Sequence, residues 1–293
     1  MLSWSTILHL RIPFSFFLMP VFLFALCISP NIDGDSILWS FVIIHLLLYP
    51  ASNGYNSYFD KDEKSIGGLK NPPPVKKDLY YVSVFFDVAA IVLGLLMVSK
   101  EFAVMLFIYG LASKAYSHPS VRLKKYPIAG WLTVVFFQGI FAFAMCYAGI
   151  NKFGFENLLQ SKVLVPGFLC SLMLFATYPM TQVYQHEEDV QRGDITMSVR
   201  LGIRGTFYFA MTFFAIAATG FIYYFGTAFT AFYTVVFIIT QSPVVLYFFF
   251  WFAAVIQDRS NADHKSTMRL NLISSLCMNA FFVFLFLHAG HLI

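Results

Sequence analysis

Charge is scarce in this chain. Only 12% of its 293 residues are Asp, Glu, Lys or Arg, about half the share of an ordinary soluble domain. That deficit excludes a solvated globule, and a mean hydropathy of +0.71 points the same way. Paired cysteines are lacking too. Cys27, Cys146, Cys170 and Cys277 each sit inside an apolar run, at unrelated spacings. This argues against a disulfide framework or a thiolate metal cluster and fits small buried side chains. There is no soluble domain, low-complexity tail or tandem repeat. A cleavable leader is not expected: the stretch from Met1 to Ile12 is mixed, and the first long apolar run is long enough to span a bilayer. Apolar bulk is what the chain has in plenty, with 59% hydrophobic residues and 36 Phe. The composition predicts an all-α polytopic membrane protein, a single integral-membrane domain over residues 1–293.

Nine apolar runs reach spanning length, near 12–30, 37–56, 79–99, 102–117, 128–150, 163–185, 205–225, 229–256 and 269–290. The fourth is short and the eighth long. Within the eighth, Gln241-Ser242-Pro243 predicts a kink or a split. With the N-terminus in the cytoplasm, the inner loops hold 16 Lys and Arg, against 3 outside (Lys100, Lys152 and Lys162). This bias predicts an inside N-terminus and an outside C-terminus. The inner connections, 57–78, 118–127, 186–204 and 257–268, are also the long polar ones, so the chemistry belongs on that face.

Two polar stripes stand at the ends of oily helices on that face. Asn53, Asn56 and Asp60 form one; Gln182, Gln185 and Asp189 form the other. Each set falls at i, i+3 and i+7, one face of a helix. Desolvating a carboxylate is expensive, so folding alone gives a membrane protein no reason to put them there. Oxygen ligands on facing helices suit a hard cation such as Mg²⁺, which commonly brings phosphate with it. The plain alternative is a solvated helix end with ordinary capping groups. A transporter or channel is a second class; it predicts acids near the midplane of several helices, and here only Asp87 lies deep. Asp87 needs a partner, for which Lys114 is the candidate, or a proton. His288 and His291, at i and i+3, make a weak metal pair on the outer side.

The residues also carry a resemblance. Asn56-Ser57-Tyr58-Phe59-Asp60-Lys61-Asp62-Glu63-Lys64 resembles the first signature, Asn-Asp-x-x-Asp-x-x-x-Asp, of the UbiA superfamily of membrane prenyltransferases. Tyr116-Ser117-His118-Pro119-Ser120-Val121-Arg122-Leu123-Lys124 is similar to that family's Tyr-Ser-x-x-Pro…Arg-Leu-Lys loop. The stretch from Glu188 to Gly202 resembles its second acidic motif and the tail that follows. The resemblance spans essentially the whole chain. It implies a bundle of about nine transmembrane helices with cytoplasmic active-site loops. It also implies Mg²⁺-dependent transfer of a prenyl group from a polyprenyl diphosphate to an aromatic, quinone-precursor-like or other lipophilic acceptor, with release of diphosphate. Lys64 stands where the first motif has its last Asp, and Gln185 where the second has its first. Either Asp62, Glu63 and Glu188 supply carboxylates from shifted positions, or the site holds fewer ions. A family member that has lost catalysis is the remaining alternative.

On that resemblance, Asp60 and Asp189 are the principal metal ligands, supported by Asn56, Asp62 and Glu188. Asp60, Asp189 and Lys124 are the catalytic candidates. Lys124 as a point charge and Arg122 as a fork would bind diphosphate, while the positive-inside bias alone accounts for Lys125. Asn53, Asn56, Tyr116, Ser117 and Gln185 are the other substrate-binding candidates. Asp194 reads as a supporting ligand or as a cap. Residues 65–77, flexible at Gly67-Gly68 and stiff at Pro72-Pro73-Pro74, read as a water-excluding lid with Lys70 touching phosphate, or as a plain surface connection. The many Phe and Tyr suit an isoprenoid tail, with none assigned individually.

Overall fold

The computed structural model describes residues 3–290; His291, and with it the expected His288–His291 pair, lies outside them. His288 itself shares a hydrogen bond with Tyr233 Oη (2.8 Å). The long elements are helices: α1 (Trp4–Cys27), α2 (Gly34–Asp60), α3 (Asp78–Val98), α4 (Lys100–Ser117), α5 (Pro127–Asn151) and α6 (Ser161–Met180). A short α7 (His186–Gln191) follows, then α8 (Met197–Ala228), α9 (Ala231–Gln257) and α10 (His264–His288). Eight of the described helices are long and apolar enough to cross a membrane. α4 has 18 residues but carries Lys100, Glu101 and Lys114. The expectation of about nine spans in an all-α bundle holds, and the protein is a multi-pass membrane protein.

Local breaks in these helices have identifiable causes. α1 is interrupted where Arg11 takes a left-handed conformation (φ 46°), and Pro13 restarts the turn beyond it. α2 ends at Asp60 because Lys61 is left-handed (φ 49°) and its N–H returns to Ser57 O at 3.0 Å. α5 breaks at Gly139 (φ −95°, ψ −108°). Ser171 Oγ enters the gap, accepting from Ile140 N (2.9 Å) and donating to Val135 O (2.9 Å). Backbone groups freed inside a bilayer need such a substitute. A Cβ on Gly139 would lie 2.2 Å from that oxygen. α9 runs through Pro243 as one 27-residue helix, so the expected split there does not occur.

Packing is strongly aromatic. Phe24 stacks on Phe282 (4.7 Å, 16°) and Phe207 on Phe252 (5.0 Å, 7°). α6 lies along α8, and α1 packs between α5 and α10. The deep Asp87 of α3 is paired with Lys114 of α4, whose Nζ also sits 4.9 Å from the Tyr55 ring centre. Neither member of the pair lines the main cavity. The pair therefore joins α2, α3 and α4 and satisfies a charge that could not stand alone at that depth.

Candidate active site

The polar ends of α2, α4 and α6 meet the N-terminal parts of α1 and α10 around one cavity of about 310 Å³. Asp60 is brought there by the last turn of α2. A carboxylate at a helix C-terminus faces the negative end of the dipole, so it needs a cation. Lys124 supplies it through a close Nζ–Oδ1 ion pair, and Arg122 Nη1 adds a contact at 3.5 Å. Both come from the short 118–126 connection, which sits tightly on the start of α5: a Cβ on Gly130 would be 2.9 Å from Lys124 Cα. Ile195 N donates to Lys125 O at 3.2 Å, tying the second acidic segment to the same loop.

Arg122 does not reach the cavity wall. Its guanidinium forms a fork on buried Asp194, with Nε–Oδ1 at 2.9 Å and Nη2–Oδ2 at 2.8 Å, an arrangement that makes it a scaffold for Asp194 and Lys124. Asp194 is thereby placed in the wall, 3.8 Å from Lys124 Nζ. The cap of α8 is Thr196, whose hydroxyl accepts from Val199 N, so the capping alternative for Asp194 falls away.

The second stripe is not one continuous helical face. α6 stops at Met180, just after Pro179, and turns carry the chain to α7. Gln182, Gln185 and Asp189 nevertheless all line the cavity, together with Asn53, Asn56 and Asp60. Asn56 Nδ2 donates to Ser117 Oγ (3.0 Å). Tyr116 Oη shares a close hydrogen bond with Tyr178 Oη, which also accepts from Gln182 Nε2 (3.0 Å). Gln185 Nε2 is spent on Ser65 O (3.3 Å).

The expected supporting acids are already engaged. Asp62 and Glu188 both pair with Arg192. Asp189 differs: its side chain has one hydrogen bond, from Thr196 Oγ1 at 3.3 Å, and no ion pair among the described residues. Burial pushes its carboxyl up to about 7, against the opposing pull of Lys124. Gln182 Oε1 is also buried without a hydrogen-bond partner. Among the described residues no three His, Cys, Asp or Glu side chains are drawn together at ligand spacing, since basic side chains stand between the acids. The spare oxygens of Asp189 and Gln182, which line the same cavity as Asp60, still fit a hard divalent cation.

Lys70 is exposed and lies outside the cavity lining; the 65–77 segment turns back at the Ile66–Leu69 bridge, leaving Ile66 and Gly67 as the parts that face the cavity. That segment is tied on several sides. His9 Nε2 bonds Pro73 O (2.7 Å), Ser5 Oγ donates to Pro74 O (2.7 Å) and Arg11 Nη1 to Gly67 O (3.2 Å). On the far side His264 Nε2 meets Ile66 O at 3.0 Å. Reading the motifs did not single out Arg11, Arg192 or Tyr178 as lining residues. Arg11 lay in a stretch read as the lead-in to a span, and Tyr178 in an apolar run. Arg192 lies in the stretch that resembles the second acidic motif and adds to the charge bias, with no role of its own in that reading.

No curated protein matches the chain significantly. Among solved structures, the fold is similar to a UbiA homologue from Archaeoglobus fulgidus bound to GPP and Mg²⁺, with TM-score 0.66 and 16% identity over 96% of this chain and 99% of that one. The same homologue bound to DMAPP and Mg²⁺ gives TM-score 0.65 and 17% identity over 97% and 99%. A digeranylgeranylglyceryl phosphate synthase structure gives 0.63 and 16% over 96% and 98%. The model of the UbiA prenyltransferase family matches residues 17–276. The chain belongs to the UbiA prenyltransferase family.

Proposed function

We propose that this chain transfers a prenyl group from a polyprenyl diphosphate to a lipophilic acceptor, an aromatic quinone precursor by default, with Mg²⁺ as cofactor. The observation that carries the reading is the meeting of Asp60, Asp189 and Lys124 in one cavity that continues into an apolar annexe of about 90 Å³. The two spaces share Phe17, Leu18, Leu174 and Thr177, and the annexe runs on to Phe221, Met278 and Phe282. A polar head and an oily tail fit those surroundings together.

Asp60 and Asp189, with Gln182 and Asn56, would hold the metal. When bound, Mg²⁺ neutralises the diphosphate oxygens and eases their departure. Lys124 turns its charge from Asp60 to a phosphate oxygen. Tyr116 and Tyr178, linked through their hydroxyls, offer hydrogen bonds to the head. The tethered 66–67 segment and Arg11 shield the allylic carbon from water. The C1–O bond breaks with its electron pair leaving on diphosphate; a nucleophilic carbon of the acceptor forms the new bond to C1 and then loses its proton to solvent. The Lys and Arg bias between loops supports a cytoplasmic site, an inside N-terminus and an outside C-terminus.

The test is to incubate the purified protein in detergent with Mg²⁺, a panel of prenyl diphosphates and a panel of aromatic acceptors. Prenylated product that disappears with EDTA and in Asp60→Ala and Asp189→Ala is the expected result. Absence of prenyl diphosphate binding by the wild type would overturn the reading.

A further inference from the structure

Three acids that the family pattern leads one to expect are missing here, at Ser57, Lys64 and Gln185, and the last two replacements are used elsewhere. Lys64 lies at the surface in a 2.5 Å ion pair with Glu187. Gln185 gives its amide N–H to the 65–77 segment. Of the acids nearest those last two positions, Asp62 and Glu188 are the ones with largely buried side chains, one in each acidic segment. Their side chains are only 8% and 11% exposed, so each requires a positive partner. One group serves both. Arg192 points Nη1 at Asp62 Oδ1 and Nη2 at Glu188 Oε1, both in close contact. Glu63 N adds a hydrogen bond to the same Glu188 oxygen at 3.3 Å.

We propose that Arg192 is a built-in cation that joins the two acidic segments in place of a second metal ion, so that the donor site takes a single divalent ion at Asp60 and Asp189. The proposal rests on the prenyl-transfer reading above. A planar guanidinium presents two N–H edges at once and does not lose its charge. It neutralises Asp62 and Glu188 permanently, where a metal ion would do so only with substrate. A second divalent ion at those carboxylates would have to displace Arg192 from both and then sit beside its charge. Asp189 and the orphaned Gln182 Oε1, in the same cavity wall as Asp60, are left open. Arg192 is thus a positioning residue: it fixes the spacing of the two segments and touches no reacting atom.

The test counts ions. Mn²⁺ binding is titrated by electron paramagnetic resonance on the full-length protein in detergent, with saturating geranyl S-thiolodiphosphate, whose C–S bond resists ionisation. Wild type is expected to bind one Mn²⁺ per chain, with no spin-coupled pair. Arg192→Gln, which frees both carboxylates, is expected to bind two and to show coupling. Two ions in the wild type, or one in both proteins, would overturn the proposal and leave prenyl transfer standing. No Mn²⁺ bound to wild type under these conditions would remove the donor-site reading and this inference together. If R192Q does not fold, the wild-type count still decides.

Discussion

At the scale of single residues, Asp60 and Asp189 occupy unlike environments. Asp60 is already held by Lys124, and Asp189 is half-buried with no ionic partner among the described residues. Asp60→Asn and Asp189→Asn should each lower turnover by about 100-fold or more, since they remove charge from the metal-holding oxygens; a steady-state assay of product formation measures this. Asp189 also predicts a pH dependence. Burial raises its carboxyl to about 7, so a proton competes with the cation below that pH. Mn²⁺ affinity, measured by titration without substrate, should therefore rise from pH 6 to pH 8; a flat profile would contradict the assignment. The sign for stability is opposite. A folded-state value above the ordinary carboxylate one favours the metal-free fold most at low pH, and that contribution fades as pH rises to about 7. These residues were legible as types: an amide, an amide and a carboxylate in an oily setting mark a polar purpose. Some of the contacts around them were not, because Arg192 reaches across to Asp62 from a segment distant in sequence and Tyr178 lies in a run read as apolar.

Elements show where helical periodicity holds and where it fails. The first stripe lies on unbroken α2, as its spacing predicted. The second does not lie on one helix, because the chain leaves α6 at Met180 after Pro179. Its three residues still converge, since turns and α7 carry them to the same cavity. The break of α5 at Gly139 had no sequence cue beyond the glycine itself. Its stability depends on Ser171 of α6, so Ser171→Ala should destabilise the protein by about 1–3 kcal/mol, by leaving Ile140 N–H and Val135 C=O unpaired. Thermal unfolding in detergent checks this, and an unchanged transition would speak against it. The 65–77 segment is held from both sides, by α1 and by α10. His9→Ala should loosen it, raising amide hydrogen exchange over residues 66–74 while leaving exchange in α6 unaltered.

For the whole molecule, the fold class and the approximate number of spans followed from hydropathy alone, because a bilayer leaves helices few alternatives. α4 shows the limit of that argument: it belongs to the bundle although three charges dilute its apolar run. The Asp87–Lys114 pair explains how such a helix is accommodated. The proposed orientation predicts that a cysteine placed at exposed Lys64 reacts with a membrane-impermeant maleimide in inside-out vesicles and is protected in right-side-out ones; the reverse pattern would invert the topology. The central claim is that a prenyl diphosphate loses its diphosphate in the cavity between Asp60 and Asp189. The most direct measurement is the release of diphosphate from labelled prenyl diphosphates, followed together with prenylated product in the presence of Mg²⁺ and an acceptor panel. Equimolar release and product, both abolished by EDTA and by Asp189→Asn, is the predicted result. Release that is the same in wild type, in the variant and with EDTA would contradict it.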